Sequence, residues 1–378
     1  GVNRENTRYT SEGGWYECDK IRFRQGTPEK IGGWQRISAT VFQGVARSLW
    51  NWVTLGSQNL IGVGTNLKFY IENGGAYNDI TPLRATVTLT NPFETTSGSP
   101  IVVVTDATGG YTDGDFVTYS GASAVGGLTL NGEYQLTVTT TTNEYTIDAG
   151  AAASSSATGG GTVTAKYQIN VGSAFAVPLT GWSASSWGSG TWGVGGTSTE
   201  SIRLWSQSNF GEDLIFGPRG GPIYYWDATS GLTSRAVELS TVGGASNVPT
   251  SQRILEISDI NRFVFAFGAN EFGSATINPM LIRWSDQGSA VDWTPSVTSQ
   301  AGFLTLSNGT EIIAAKQARQ EVLVWTDAAL YSLQYVGAPV VWSAQLVGEN
   351  ISTASQNCVA YANGVAYWMG KDKFYKYD

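Results

Sequence analysis

The fold class that the sequence predicts is all-β: a propeller-like body of four-stranded blades with a small inserted β domain. Three observations predict it. Charged residues make up 14% of the 378-residue chain, against about 25% in an average soluble protein. Glycine reaches 47 residues and aromatic residues 12%, a mixture that suits short strands joined by tight turns, because rings fit a pleated, half-buried surface and glycine accepts positive φ. The third is a recurring phrase: an apolar strand, a short turn, then an aromatic strand ending in a polar residue.

The phrase occurs five times, as LIGVGTNLKFYIEN from Leu60, LIFGPRGGPIYYWD from Leu214, FVFAFGANEFGSATINPMLIRWSD from Phe263, VLVWTDAALYSLQYV from Val322 and VAYWMGKDKFYKYD from Val365. Each reads as a hairpin. From Leu214 the starts lie 49, 59 and 43 residues apart, close to the roughly 40 to 50 residues of a four-stranded blade. Between the third and fourth copies, Ile312 to Ala315 precede a polar KQARQE turn, so a strand, not a helix, is expected there.

Leu60 and Leu214 are 154 residues apart, too far for one blade, and the composition changes near Arg84. The expected organisation is therefore residues 1–84 for N-terminal strands and a first blade, 85–170 for an inserted β domain, and 171–378 for the remaining blades. The insert alternates apolar and polar residues in ATVTLTN, PIVVVTD, DFVTYSG, EYQLTVT and NEYTIDA, the period of strands with one buried face. Its AGAAASSSATGGG stretch reads as a flexible exposed loop, since small residues repay little of the entropy of ordering. Trp182, Trp187 and Trp192 follow at intervals of five, which fits neither period. They are expected to be buried anchors; the alternative is a stacking platform for sugars or bases.

The chemistry of the chain is restricted by what it lacks. It contains no histidine, which removes Ser-His-Asp and Cys-His catalysis and histidine metal sites. Cys18 and Cys358 match no metal spacing and are expected as reduced, buried thiols. No nucleotide-binding loop or HExxH is present, and no catalytic carboxylate pair can be chosen from 30 Asp and Glu residues. The expectation is a chain that is not an enzyme and takes no cofactor or metal. WSDQGSAVDW, with Ser285, Asp286, Gly288 and Trp293, resembles the Asp-box turn of sialidase propellers, a structural element and not a catalytic one. No apolar stretch approaches the roughly 20 residues of a membrane span, so a soluble protein made without export and without membrane insertion is expected.

The formal net charge of −8 argues against tight nucleic-acid binding, which needs clustered cations. One basic cluster stands out: Lys20, Arg22, Arg24 and Lys30, with Ile21 and Phe23 alternating at strand period. Lys20, Arg22, Phe23, Arg24 and Lys30 are the candidate interface residues. Trp15, Tyr16, Phe23 and Trp34 also demand burial, so the segment is expected to complete a blade or to contact a neighbouring subunit.

GVNRENTRYTSEGGWYECDKIRFRQGTPEKIGGW at the N-terminus resembles the opening of the packaged DNA stabilisation proteins, or tail nozzle proteins, of short-tailed bacteriophages (podoviruses). LIGVGTNLKFYI, YNDITPLR and VLVWTDAALYSLQYVG are similar to that family too, in the same order. The resemblance implies a propeller subunit of a hexameric ring beneath the portal and its adaptor, a structural virion protein that closes the tail, retains packaged DNA and forms the conduit for its ejection. It further implies partners among the portal adaptor and other tail proteins, assembly in the host cytoplasm, and DNA passed without specific binding. Six copies at −8 each would carry −48, a wall from which DNA slides. The chain begins without Met and stops inside the fifth phrase, so a partial chain lacking its closing strands is expected. The alternative function is a glycan-binding or glycan-cleaving phage tail propeller, for which two carboxylates about 5 to 9.5 Å apart in an aromatic groove would speak.

Overall fold

The computed structural model describes residues 7, 9–10, 12–33, 38–175, 180–181, 196–197 and 202–378. Trp182, Trp187, Trp192 and Trp34 lie outside them. The chain forms two compact units, Gly1–Val41 and Phe42–Asp378.

Five antiparallel sheets of the second unit are the blades. Blade 1 comprises Ala46–Val53, Asn59–Thr65, Phe69–Asn73 and Ala76–Asp79. Blade 2 comprises Trp205–Phe210, Asp213–Pro218, Tyr224–Trp226 and Val237–Glu238. Blade 3 comprises Ile254–Ser258, Phe263–Phe267, Leu281–Trp284 and Gly302–Thr305. Blade 4 comprises Ile312–Gln317, Glu321–Thr326, Ala329–Gly337 and Val341–Glu349. Blade 5 has three strands, Val359–Ala362, Val365–Met369 and Phe374–Tyr377. In every blade the strands pair in sequence order, and the five recurring phrases are the second and third strands. Helical structure among the described residues is three single 3-10 turns.

The apolar runs that mark each hairpin follow from burial on two faces. In FVFAF, Phe263, Phe265 and Phe267 pack against Val322, Val324 and Trp342 of blade 4. Val264 and Ala266 point the other way, onto Ile215 and Leu239 of blade 2 and its flank. Blade 4 repeats the division: Val322 and Val324 face blade 3, while Leu323 and Trp325 face Ala366 and Trp368 of blade 5. A period of two with both faces apolar reads as an unbroken hydrophobic string. Each fully buried Leu, Val or Phe contributes about 1.5 to 3 kcal/mol. Blades 1 and 2 approach so closely that Gly64 is required: a Cβ there would lie 2.6 Å from Trp205 Cδ1 and 2.8 Å from its Cγ.

Between blades 1 and 2 the chain makes an eight-stranded sheet from Leu83 to Gln168. Its strands lie in the order Ala157–Gly159, Phe93–Thr95, Ile101–Thr105, Glu144–Asp148, Gly132–Val138, Phe116–Ser120, Thr162–Gln168, Leu83–Thr90. They roll into a near-barrel around one core that includes Phe93, Val104, Tyr119, Leu136, Tyr145 and Tyr167. The flexible loop expected at 149–161 is instead built into this sheet. Ala157–Gly159 pairs with Phe93–Thr95, Ala153 is buried, and Ser154 N donates to Gly126 O at 2.8 Å. Backbone hydrogen bonds order what side chains alone would not.

In the first unit, Ile21–Arg24 pairs with Thr27–Lys30. Gln25 and Gly26 hold φ of 50° and 82°, the primed two-residue turn that matches strand twist. The strand expected to need a host sheet thus finds its partner locally. Cys18 and Cys358 are free and half-buried, not buried; the expectation of enclosed thiols is corrected because neither side chain belongs to a hydrophobic core.

Candidate functional site

The first strands of all five blades converge on a cavity of about 280 Å³ along the propeller axis. Trp50, Gln207, Glu256, Lys316 and Gln356 are among its lining residues, drawn from blades 1 to 4 and the turn entering blade 5. Lys316 Nζ lies 3.7 Å from Glu256 Oε1 and 5.5 Å from the centroid of the Trp50 ring. Gln356 Nε2 donates to Ser206 Oγ at 2.8 Å, and Gln207 Nε2 to Ser48 Oγ at 2.9 Å. Burial pushes the Glu256 carboxyl above its ordinary value, against the opposing pull of Lys316 and of the Gln317 N–H that donates to it. A proton is therefore held more tightly there than on an exposed glutamate. Among the described residues lining this cavity Glu256 is the one carboxylate, whereas glycoside cleavage calls for two.

A second cleft, of about 790 Å³, lies where the inserted sheet meets blade 2. Arg84, Arg203 and Arg219 line it, together with Asp113 and Glu238. Arg203 Nη2 donates to Asn170 O at 2.7 Å and its guanidinium sits 5.4 Å from the Trp205 ring. Burial lowers the basicity of both Arg203 and Arg219. With guanidiniums and carboxylates both in the lining, this cleft has a mixed electrostatic character.

Below it, the insert is tied to the body by a cluster of four charges. Lys68 Nζ, 3% exposed, is 3.1 Å from Asp79 Oδ2 and pairs with Glu133 of the insert. Arg235 Nη2 lies 3.2 Å from Asp79 Oδ2 and 3.7 Å from Glu133 Oε2. Burial alone would raise the Asp79 carboxyl, but Arg235 and Lys68 outweigh it and hold the group below its ordinary value. These residues come from positions 68, 79, 133 and 235, and no local pattern in the sequence links them.

The candidate interface residues occupy the hairpin of the first unit. Arg22 and Arg24 share its exposed side and Ile21 and Phe23 the half-buried side. Phe23 meets Trp15 edge-on at 6.2 Å. Arg22 is balanced across the hairpin by Glu29, with Nε 3.1 Å from Oε2, and Lys20 Nζ lies 3.6 Å from Asp19. Lys20 and Lys30 are exposed. Such exposed pairs are worth about 0 to 1 kcal/mol, so they leave the positive face available to a partner. The axial residues were not singled out by sequence. Their available signal was a charge inside an apolar strand, Glu256 in ILEIS and Lys316 in IIAAKQ.

WSDQGSAVDW folds as a structural turn between the third and fourth strands of blade 3. Gln300 N donates to Asp286 Oδ1 at 2.6 Å, Gly288 has φ of 75°, and Trp293 is buried with its Nε1 donating to Ala290 O.

The fold and its cavities define a β-propeller with an inserted near-barrel sheet. No family model matches the chain, and no curated protein does. Among solved structures it is similar to the phage phi92 endosialidase, with a TM-score of 0.26 and 13% identity, covering 90% of this chain and 55% of that one. The chain thus spans about half the length of that structure. By its name that neighbour is an enzyme, which runs against the expectation of a chain that is not one. A likeness of this degree assigns no activity to the chain.

Proposed function

We propose that the chain is a propeller subunit of a short-tailed phage tail: the nozzle, a ring of copies that closes the tail beneath the portal adaptor, retains packaged DNA and forms its exit. The observation that carries this reading is the apolar outer rim. Phe303 on the outer strand of blade 3 is 53% exposed, and Val336, Val340, Leu346 and Val347 on the outer hairpin of blade 4 are exposed as well. Uncovered apolar side chains on adjacent blades suit a protein interface. The family-like phrases, the acidic character and the basic hairpin point in the same direction.

The conduit in this reading lies between subunits. A duplex whose major groove alone is about 12 Å wide has no passage through an axial cavity of about 280 Å³ crossed by the Gln356–Ser206 and Lys316–Trp50 contacts. The test is the solution mass of the full-length protein and of its Phe303→Lys, Leu346→Lys double variant. A ring of about six copies for the parent and a folded monomer for the variant support the proposal. A monomeric parent at high concentration, or an unaltered ring in the variant, contradicts it.

A further inference from the structure

The third strand of blade 3, Leu281–Trp284, is buried at all four positions. Ile282 and Trp284 face blade 4. Arg283 points to the opposite side and is 3% exposed. Its Nη1 donates to Asn270 O at 3.3 Å and its Nη2 to Asn247 O. The Phe272 ring stands 5.6 Å from its guanidinium carbon. A guanidinium has five N–H donors, and these two carbonyls are its hydrogen-bond partners among the described residues. None of the ion pairs between described residues includes it. Burial alone lowers its pKa, to about 10.

Buried charges are normally paired. Here the unpaired cation borders a cleft of about 380 Å³, within the size range of small-molecule sites. Ser240, Asn247, Thr250, Asn270 and Ser274 supply its polar lining, and among the described residues no acidic side chain belongs to it. Glu238 and Glu271 do not line the cleft, although Glu238 Oε1 accepts from Ser240 Oγ at 2.6 Å behind the wall. The walls are preformed. Asn270 Oδ1 accepts from Thr250 N at 2.9 Å and Ser251 N at 3.2 Å, and its Nδ2 donates to Ser274 O at 2.7 Å. Asn247 holds a left-handed φ of 49°, which turns its carbonyl to Arg283. Because strands alternate in direction, the loop entering blade 3 and the loop between its second and third strands emerge on one face, and the inserted sheet departs from that face too.

We propose that this cleft binds a small hydroxylated oxyanion, a sugar acid or sugar phosphate, with its carboxylate or phosphate on Arg283. The hydroxyl groups of Ser240, Thr250 and Ser274 accept from its hydroxyls, while the Asn270 amide is held by the wall. The site stands apart from the nozzle reading, and failure of one leaves the other intact.

The test is calorimetric titration of the full-length protein with glucuronate, glucose 6-phosphate and glucose. At least one anion is expected to bind at least tenfold more tightly than glucose. A preference for glucuronate identifies a carboxylate as the group recognised, and a preference for the phosphate identifies a phosphate. Ala275→Trp, on the exposed rim, fills the cleft without touching Arg283 and is expected to abolish binding; Arg283→Met is expected to weaken it at least tenfold. Should Arg283→Met fail to fold, Ala275→Trp decides alone. No binding of either anion up to about 10 mM, glucose binding as tightly as both, or a folded Ala275→Trp variant that binds like the parent overturns the proposal.

Discussion

Phe263, Phe265 and Phe267 of blade 3 turn outward from their sheet to meet blade 4, whereas Tyr119, Tyr145 and Tyr167 of the inserted sheet turn inward to meet one another. In the blades the rings pack on rings: Phe265 lies 5.7 Å from Phe267 and 4.9 Å from Trp342, the latter edge to face. Trp226, Trp325, Trp342 and Trp368 bury their Nε1 groups without an acceptor among the described residues. The insert runs its hydroxyls in a chain instead. Tyr119 Oη and Tyr145 Oη are 2.6 Å apart, Tyr145 Oη and Tyr167 Oη again 2.6 Å, and Tyr167 donates to the buried Asp106. Burial pushes all three phenols well above their ordinary range. A blade therefore depends on its neighbours for a core, while the inserted sheet encloses its own and specifies it with a polar network.

This contrast can be broken most forcefully at Phe265. Phe265→Ala is expected to cost about 3 to 5 kcal/mol, measured by chemical denaturation. Hydrogen exchange should show protection lost in blades 3 and 4 while the strands of the insert keep theirs; equal loss in both regions would mean that the two cores are one cooperative unit.

A smaller effect is expected where the two regions meet. Lys68→Met leaves Asp79 and Glu133 with Arg235 as their one paired cation among the described residues. The cost should be about 2 kcal/mol, less than the 3 to 5 of a fully buried pair because both carboxylates keep contact with water. The lowered Asp79 carboxyl gives the pH dependence its sign. Its contribution is fully present above the ordinary aspartate value of about 3.9 and is lost as the pH falls through the lower native value. Thermal denaturation across that acid window should fall more shallowly for Lys68→Met than for the parent. Identical slopes would remove the cluster from the acid response.

The smallest effect sharpens the polar side of the comparison. Tyr167→Phe removes one hydroxyl from the chain that ends on Asp106, and about 1 to 2 kcal/mol of stability should go with it. The loss should be confined to exchange within residues 83–168. A neutral substitution would show that the hydroxyl chain is incidental to the core.

How much of this could be read beforehand depends on the range of the forces involved. The five hairpins were legible because burial on two faces writes an apolar run at each strand, with a turn between. The sheet of 83–168 was legible from alternation in its strands. Its last turn was misread: AGAAASSSATGGG owes its order to backbone bonds with Gly126 and Thr95, and side-chain composition carries no trace of them. The hairpin at Ile21–Lys30 was half read, since the alternation was seen but the Gln25–Gly26 turn was not. Glu256, Lys316 and Arg283 showed only as lone charges in apolar strands. Their partners are set by the ring of blades, which brings distant positions together and leaves no spacing to find.

Electron cryomicroscopy of intact virions carrying the full-length protein tests the proposed tail ring most directly. Six copies of the propeller, each with its inserted sheet, should surround the tail axis below the portal adaptor with their outer rims in contact. Virions in which this propeller is absent, or stands as a single copy away from the channel, would contradict the account.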